Sequence, residues 1–269
     1  MKKQKQQTKK VIVISGAGSG IGLATANYFL ENGWVVYGIA MEPAEKVNVK
    51  FNYYQGNICD SALMQKIAAE IHDKEGQIDV LYNNAGFGIS GAIEFTEKEK
   101  VEKIFAVNII AHIDMCRIYI PYLRETKGKI IFTSSVAAPA AIPFQACYSA
   151  TKAAIESFAL ALSKEVRSQG IKIACVRPGD IKTGFTEARD KSMQTNDAYG
   201  DIVKKKTDNM EKAEINGMKP IAVAKQVFRV AKRKNPPLIS SVGFGYKCIS
   251  SLIKILPVRW SNYLVYKFY

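Results

Sequence analysis

The chain has 269 residues, of which 48% are hydrophobic and 23% are charged. This composition is typical of a globular protein and excludes a disordered, collagen-like or low-complexity chain, and no apolar run is long enough to predict a membrane-spanning helix. The formal net charge is +14, but residues 1–10 contain five basic residues, residues 215–269 contain ten, and neither segment contains an acid. Basic ends without a basic folded face argue against nucleic-acid binding.

Five cysteines are scattered through the chain without a C-x-x-C pair: Cys59, Cys116, Cys147, Cys175 and Cys248. We therefore expect neither a disulfide framework nor a metal site. The apolar run that follows residues 1–10 is too short for a signal peptide and leads into a glycine-rich segment. The cytoplasm is the expected compartment.

Short β-branched runs alternate with longer helical patterns along the chain. Seven strands are predicted, at Val11–Ile14, Val35–Ile39, Phe51–Tyr54, Ile78–Tyr82, Lys129–Thr133, Ile171–Val176 and Leu238–Ser240. Helices are predicted at about 20–32, 60–75, 97–125, 148–168 and 220–233. This alternation indicates an α/β fold, in which a parallel sheet carries helices on both faces.

The sequence predicts one domain between two tails. The domain spans residues 11–242 and contains a polar, weakly patterned segment at about 184–217, which is typical of a functional lid or insertion. A basic N-terminal tail, 1–10, precedes the domain, and an aromatic and basic C-terminal tail, 243–269, follows it.

The first strand runs into the glycine-rich segment Ser15-Gly16-Ala17-Gly18-Ser19-Gly20-Ile21-Gly22. A glycine-rich turn between a strand and a helix lets the backbone approach a pyrophosphate, which the free N–H groups at the helix N-terminus can bind. Gly16, Gly20 and Gly22 do not follow the common G-x-G-x-x-G spacing. The alternative interpretation is a tight strand–helix turn that binds no ligand.

Polar segments follow three later strands, and a further polar residue lies in a helix. Asn83-Asn84-Ala85-Gly86 follows the fourth strand, Ser134-Ser135 the fifth and Arg177-Pro178-Gly179 the sixth. Asn108 lies within the predicted helix 97–125. Ligands of open α/β sheets bind beyond the carboxyl ends of the strands, so we expect these segments to meet at one site.

Tyr148 and Lys152 are four residues apart on a predicted helix and therefore share one face. An ammonium beside a phenol stabilises the phenolate and lowers its pKa from about 10 toward neutrality, which would let Tyr148 act as a general acid and base. Taken alone, such a pair is common on solvated helix faces. Its agreement with the strand-end segments favours the catalytic interpretation.

With these motifs in this order, residues 11–240 resemble the short-chain dehydrogenase/reductase family in its single-domain Tyr-x-x-x-Lys branch. The resemblance implies a Rossmann-type, doubly wound, parallel seven-stranded sheet with helices on both faces. It implies an NAD(P)-dependent oxidoreductase that interconverts a carbonyl and an alcohol by hydride transfer. It also implies a catalytic tetrad, in which Asn108 would hold a relay water and Ser135 would bond the substrate oxygen. Tyr148 would exchange the proton, and Lys152 would lower the tyrosine pKa and bind the nicotinamide ribose.

The resemblance further implies three sets of cofactor contacts. The pyrophosphate would meet the glycine loop at Gly16, Ser19, Gly20, Ile21 and Gly22. The adenosine and ribose side would be lined by Asn57, Ile58, Asn84, Ala85 and Gly86. The nicotinamide would be seated by Pro178, Gly179, Ile181 and Thr183. Asn57 replaces the adenine-contacting Asp of the family, but its side-chain carbonyl can still accept a hydrogen bond from the adenine amino group.

The residues after the second strand leave the choice between NAD and NADP open. An NAD enzyme usually has a carboxylate at the end of that strand, where this chain has Ala40, and Glu42 comes two positions late. An NADP enzyme would have Arg or Lys at position 41 or 19, where this chain has Met41 and Ser19. The second strand itself, Val36–Ala40, resembles that of NADP-using members, so NADP is favoured.

Two alternative functions are weighed against the oxidoreductase. The first is a non-catalytic dinucleotide-binding sensor on the same fold, although such proteins usually lack the Tyr or the Lys. The second is the extended branch that acts on nucleotide sugars, whose glycine spacing and larger C-terminal domain are absent here.

The substrate is expected to be apolar, such as a steroid-, retinoid- or lipid-like carbonyl, and to meet the loop at about 184–217. The resemblance also implies a homodimer or homotetramer that pairs helices 97–125 and 148–168.

The C-terminal tail, 243–269, combines seven aromatic and four basic residues without an acid. Two helical apolar stripes are predicted, separated by Pro257, and they consist of Cys248, Ile249, Leu252, Ile253 and Leu256, then Trp260, Tyr263, Leu264 and Phe268. Such stripes could pack on the domain or on a neighbouring subunit. They could instead lie in the interface of an anionic membrane as a peripheral contact. The sequence leaves both interpretations open.

Overall fold

The computed structural model describes residues 9–47, 49–192, 196 and 198–268. The predicted basic tail, 1–10, lies outside these residues except for Lys9 and Lys10. The strands are β1 Val11–Ser15, β2 Val35–Ala40, β3 Asn52–Gln55, β4 Val80–Asn83, β5 Ile89–Gly91, β6 Lys129–Thr133, β7 Lys172–Arg177, β8 Asp190–Ser192 and β9 Ile239–Ser241.

Seven of these strands form one sheet in the order β3-β2-β1-β4-β6-β7-β9. Every pairing in it is parallel, which confirms the predicted sheet. The order reverses beside β1, because β2 and β4 lie on its two sides. The carboxyl ends of β1 and β4 therefore border a crevice, where open α/β sheets bind their ligands.

The helices are α1 Gly20–Glu31, α2 Ala44–Val47, α3 Ser61–Glu75, α4 Lys98–Phe105, α5 Ala111–Thr126, α6 Ala146–Glu165, α7 Phe185–Ala188, α8 Ile202–Ile215, α9 Pro220–Lys232, α10 Phe244–Ile255 and α11 Val258–Phe268. Short 3₁₀ turns lie at Ile93–Phe95 and Arg167–Gln169. Helices α3, α5 and α6 cover one face of the sheet, and α1 and α9 cover the other. This arrangement confirms the predicted doubly wound fold.

Alternating strand residues bury both faces of the sheet. Val13 and Leu81 pack with Ile67 and Met115 on one side. Ile12 and Ile14 face the opposite side, which α1 and α9 cover. A sheet covered on both faces requires nearly continuous apolar strands, which explains why the strands are easy to recognise in the sequence.

The predicted helix at 97–125 is a continuous helix from Lys98 to Thr126 that is interrupted by a π-helical segment at Ala106–Ile110. By length and composition it could cross a membrane, with a mean hydropathy of 1.4, contrary to the expectation that no segment would do so. Its α5 part buries Met115, Tyr119 and Leu123 against the sheet and α3. Its hydropathy is thus that of a helix in the core.

The segment at about 184–217 has more regular structure than its weak pattern indicates. Helix α7 lies in it, β8 pairs in parallel with β5, and α8 spans Ile202–Ile215. Ion pairs attach this segment to the rest of the molecule, since Lys100 of α4 lies 3.2 Å from Asp190 of β8. The segment is therefore built from contacts that join distant parts of the chain.

The C-terminal tail folds into the two predicted helices. Helix α10 ends at Ile255, two residues before Pro257, and α11 follows at Val258. The predicted stripes are only partly covered. Leu252 is 50% exposed and Trp260 is 66% exposed, whereas Val265 is buried.

Candidate active site

The glycine turn between β1 and α1 has no room for side chains. Gly16 and Gly20 adopt positive φ angles of 67° and 52°, which favour glycine. A Cβ on Gly16 would lie 2.8 Å from the Cα of Ala85, and a Cβ on Gly22 would lie 1.9 Å from the carbonyl oxygen of Gly16. The close packing lets the turn present its backbone, and the N-terminus of α1, to an anion.

A hydrogen-bond network joins this turn to the ends of β4 and β6. The Ser15 hydroxyl accepts from the backbone N–H groups of Asn84 and Ala85 at 2.9 and 3.1 Å. The Asn84 side chain accepts from the Thr133 hydroxyl at 3.0 Å. The Lys152 ammonium donates to the Thr133 carbonyl at 3.0 Å. The strand ends predicted to meet at one site are thereby brought together.

Helix α6 places Tyr148 and Lys152 on the face that looks toward the ends of β6 and β7. The Tyr148 hydroxyl is hydrogen-bonded to Ser135, which follows β6. The Lys152 ammonium lies 5.6 Å from the centre of the Tyr148 ring and 3.8 Å from a Cβ built on Gly86. Phenol, hydroxyl and ammonium thus surround one small volume beside the glycine turn.

Burial dominates the acidity of this pair. It raises the pKa of Tyr148 to about 12, although the Ser135 hydrogen bond lowers it in part. It lowers the pKa of Lys152 to about 8. In this structure burial raises the Tyr148 pKa, and the expectation that Lys152 brings it toward neutrality stays a prediction. The ammonium donates to the Thr133 carbonyl instead of lying at the phenol oxygen.

Asn108 lies in the π-helical segment and uses its side chain to hold the loop after β4. Its amide oxygen accepts from the Phe87 N–H at 3.1 Å, and its amide nitrogen donates to the Phe87 carbonyl at 3.0 Å and to Thr151 at 3.2 Å. π-Helical segments are frequent at functional sites. The relay water expected at Asn108 stays a prediction, because the side-chain amide is already occupied by protein partners.

One cavity of about 540 Å³ opens at the ends of the strands. The predicted site residues on its wall are Gly16, Ser19, Gly20, Ile21, Asn57, Ile58, Asn84, Ala85, Gly86, Ser135, Tyr148, Lys152, Pro178, Gly179, Ile181 and Thr183. Gly22 and Asn108 are not on the wall. Gly22 packs against the backbone of the turn, and the expected contact between Gly22 and a pyrophosphate stays a prediction.

The opposite wall of the cavity is mainly apolar and comes largely from the segment at about 184–217, which is predicted from the sequence to meet the substrate, although none of its residues is singled out. Phe185 lies 5.7 Å from the Tyr148 ring, between ring centres. Ile142 and Met210 of α8 pack against Tyr148. Glu214 also lines the cavity, where its carboxylate binds Thr186 at 2.6 Å and Arg189. The wall can therefore enclose an apolar group next to the tyrosine hydroxyl.

Sequence reasoning also missed a contact between the C-terminal tail and the loop after β7. The Tyr246 hydroxyl donates to the Asp180 carboxylate at 2.6 Å. A Cβ on Gly179 would lie 2.3 Å from the Tyr246 ring, so the ring packs directly on the glycine backbone. No spacing in the sequence connects these residues, because they are more than sixty positions apart.

Glu42 is a further residue that lines the cavity. It follows β2, and its carboxylate oxygen would lie 2.5 Å from a Cβ on Gly18 of the glycine turn. A carboxylate after the second strand is the group that binds a ribose 2′-hydroxyl in NAD enzymes. Among the described residues, no group of three His, Cys, Asp or Glu side chains is placed to hold a metal ion.

Comparisons with known proteins agree with this geometry. Residues 10–194 match the short chain dehydrogenase family. The chain belongs to that family. It is 37% identical to 3-ketodihydrosphingosine reductase of Bacteroides thetaiotaomicron, over 87% of this chain and 88% of the relative. It is 32% identical to NADPH-dependent 1-acyldihydroxyacetone phosphate reductase of Saccharomyces cerevisiae, over 70% of this chain and 67% of the relative.

A solved structure supports the fold over nearly the whole chain. A short-chain dehydrogenase from Streptomyces avermitilis is 26% identical and aligns with a TM-score of 0.81, over 90% of this chain and 92% of that chain. As a short chain dehydrogenase, the protein is an NAD(P)-dependent oxidoreductase that interconverts a carbonyl and an alcohol. The glycine turn, which presents its backbone because it carries no side chains there, fits a dinucleotide, and Lys152 lines the same cavity.

Proposed function

We propose that the protein reduces the ketone of a lipid-like substrate, with Tyr148 as the proton donor. The observation that carries this proposal is the position of the Tyr148 hydroxyl, beside Ser135 and under the apolar wall of Ile142, Phe185 and Met210. The relatives named above support it, because 3-ketodihydrosphingosine and 1-acyldihydroxyacetone phosphate are both ketones with a long hydrocarbon or acyl chain.

The proton transfer follows from the acidity of the two groups on α6. A pKa of about 12 keeps Tyr148 protonated at neutral pH, so it holds a proton to give to the oxygen of a carbonyl that Ser135 orients. Lys152 stabilises the phenolate that forms, provided that its ammonium is charged, which holds below its pKa of about 8. A bound reduced nicotinamide supplies the hydride. The Asn108 side chain holds the Phe87 backbone beside this volume.

We assign the other predicted contacts by their place on the cavity wall. The glycine turn with Ser19 and Ile21 would hold the pyrophosphate, and Asn57 and Ile58 would flank the adenine. Pro178, Ile181 and Thr183 would seat the nicotinamide from the loop after β7. Each assignment rests on the position of the residue on the wall and on the family resemblance.

We further propose that NADPH is accepted and that Glu42 limits its affinity. The sequence of β2 favours NADP, and the yeast relative is NADPH-dependent. The Glu42 carboxylate lies beside Gly18, where it would repel the 2′-phosphate of NADPH. The neighbouring Met41 and Ser19 supply no cation to offset this repulsion. The ratio of NADPH to NADH affinity therefore depends on this one carboxylate.

A homodimer or homotetramer through α5 and α6 is part of the proposal. Ile113 of α5 and Leu160 of α6 are each 38% exposed, and Ile110, in the π-helical segment just before α5, is 62% exposed. Pairing α5 and α6 about a two-fold axis would remove these side chains from water. We place the enzyme in the cytoplasm, as a peripheral protein that contacts anionic membrane through its C-terminal tail.

The experiment that tests the proposed function is a matched series of ketones assayed by NADPH oxidation. The series keeps the ketone and extends its alkyl chain, from a short water-soluble member to a long-chain member in mixed micelles. We expect kcat/KM to rise with chain length, because each methylene that enters the apolar wall contributes about 0.8 kcal/mol. The absence of turnover on every ketone, with NADPH and with NADH, would refute the proposal.

A further inference from the structure

Helix α10 exposes the more apolar of its two faces. Phe244, Leu252 and Ile255 share one face and are 83%, 50% and 81% exposed. The opposite face, which packs on the molecule, has Tyr246 and Ser250, and Ser250 is only 5% exposed. A surface helix of a globular protein normally buries its apolar face and exposes its polar face. The inverted orientation of α10 indicates a partner for the exposed side.

Helix α11 also exposes aromatic side chains, although it buries Val265. Trp260, Tyr263 and Tyr266 are 66%, 55% and 53% exposed, whereas Ser261 and Val265 are buried. The two helices meet at Pro257, where Ile255 and Val258 form an apolar corner with exposures of 81% and 74%. We call the exposed large apolar and aromatic side chains of both helices the tail face, which consists of Phe244, Ile249, Leu252, Ile255, Val258, Trp260, Tyr263 and Tyr266.

Cations border the tail face, and no acid lies in its sequence segment, 243–269. Lys267 lies 5.7 Å from the centre of the Tyr263 ring. Lys206 of α8 lies 4.9 Å from the Tyr266 ring and donates to the Tyr266 carbonyl at 2.8 Å. Aromatic rings with a polar edge, surrounded by long basic side chains, match the boundary between lipid headgroups and acyl chains. The same positive charge favours an acidic partner.

We propose that the tail face docks on the surface of an anionic lipid bilayer. A bilayer fits better than a protein groove because the corner at Ile255 and Val258 is exposed to solvent, cations contact the rings of the tail face, and segment 243–269 contains no acid. The inference rests on the proposed function in one respect, since it names the surface from which a lipid-like ketone would reach the same cavity.

The inward side of α10 explains how the docked surface relates to the cavity. Tyr246 packs on Gly179 and binds Asp180, and both residues line the cavity. The tail face therefore lies only the width of one helix, about 10 Å, from the loop after β7. An apolar substrate could pass from the bilayer to the cavity over a short path beside α10.

The first experiment uses tryptophan fluorescence, because the chain has two tryptophans, the buried Trp34 and the exposed Trp260. In the Trp34→Phe variant, Trp260 is the only reporter. We expect its emission to shift to the blue, and to be quenched by brominated lipid, with phosphatidylglycerol-containing vesicles but not with pure phosphatidylcholine vesicles at physiological salt. An unchanged spectrum with the anionic vesicles at low salt would overturn the proposal.

The second experiment compares the double variant Ile255→Ser/Val258→Ser with Ile93→Ser. All three side chains are more than half exposed, but Ile93 lies outside the tail. We expect the double variant to lose vesicle binding by about tenfold or more, because two inserted apolar side chains are removed. The Ile93→Ser variant should bind as the wild type does. Equal binding by all three proteins would overturn the proposal.

Light scattering without lipid separates the bilayer from a second copy of the chain. If the double variant splits an oligomer that the wild type and Ile93→Ser retain, the tail face is a subunit interface and the proposal is wrong. Reduction of a short, water-soluble ketone without vesicles should be equal in the wild type and the double variant. Failure of the wild type to reduce every ketone of the series would count against the proposed function and leave the vesicle result standing.

Discussion

The cavity has two walls that are held together in different ways. The wall on the β1 side is backbone: the glycine turn touches the end of β4 so closely that a Cβ on Gly16 or Gly22 would collide with main-chain atoms. The wall on the other side includes side chains from α7 and α8, which are attached by ion pairs such as Arg189 with Glu214. Backbone packing admits no substitution, whereas side-chain contacts can be exchanged to fit another substrate.

Tyr148 is the point at which the two walls meet, so its removal should have the largest effect. We expect Tyr148→Phe to lower kcat by about 10²-fold or more, because the variant has no proton to donate. Cofactor affinity should change little, since the Lys152 contact to Thr133 is retained. Steady-state kinetics and a cofactor titration measure the two effects. Tyr28→Phe, a half-buried tyrosine away from the cavity, is the matched control. Wild-type turnover by Tyr148→Phe would break the mechanism.

Gly22→Ala tests whether the backbone wall is as intolerant as its geometry indicates. The new Cβ would lie 1.9 Å from the Gly16 carbonyl oxygen, so the turn and α1 must separate. We expect a loss of about 1–3 kcal/mol in the free energy of unfolding, together with weaker cofactor binding. Thermal unfolding and cofactor titration measure both. Gly245→Ala in α10 is the control, because its Cβ meets nothing within 4 Å. Equal stability of the two variants would show that the turn can adjust.

The backbone wall could be predicted from the sequence because local rules determine each of its residues. The glycines follow from a turn without side-chain space, and Ser15, Asn84 and Ser135 follow from the carboxyl ends of parallel strands. The pairing of Tyr148 with Lys152 follows from the helical period. The seven strands were recognisable because both faces of the sheet are buried.

The side-chain wall could not be predicted in the same way, because its contacts join distant residues. The three-residue strands β5 and β8 pair across about a hundred positions, and neither has a recognisable pattern. Nothing in the sequence places Tyr246 on Gly179. Both tail helices and their break at Pro257 were predicted, but not their orientation, because the stripes do not show which face meets the fold. The π-helical segment at Asn108 likewise gave no sequence signal.

The pH dependence of the reaction tests whether Lys152 acts through its charge. Its pKa of about 8 means that the ammonium is charged at pH 7 and loses its proton as the pH rises. The developing Tyr148 phenolate is then less stabilised, so kcat/KM for carbonyl reduction should fall above pH 8, approaching tenfold per pH unit. Lys152→Arg should remove this inflection in any residual activity, because guanidinium does not titrate in this range. A flat wild-type profile up to pH 10 would contradict the role of the charge.

The smallest expected effect concerns Glu42, where the backbone wall carries an exchangeable side chain. We expect Glu42→Gln to tighten NADPH binding by several-fold relative to NADH, because the variant removes a like charge from beside Gly18 while the shape is retained. Screening should reduce this difference at high salt, since Glu42 is exposed. Glu45→Gln on α2, outside the cavity wall, controls for net charge. A parallel change in both affinities would mean that Glu42 acts on the turn and not on the 2′-phosphate. A loss of NADH affinity alone would show that its carboxylate binds the ribose hydroxyl, and NAD would then be the preferred form.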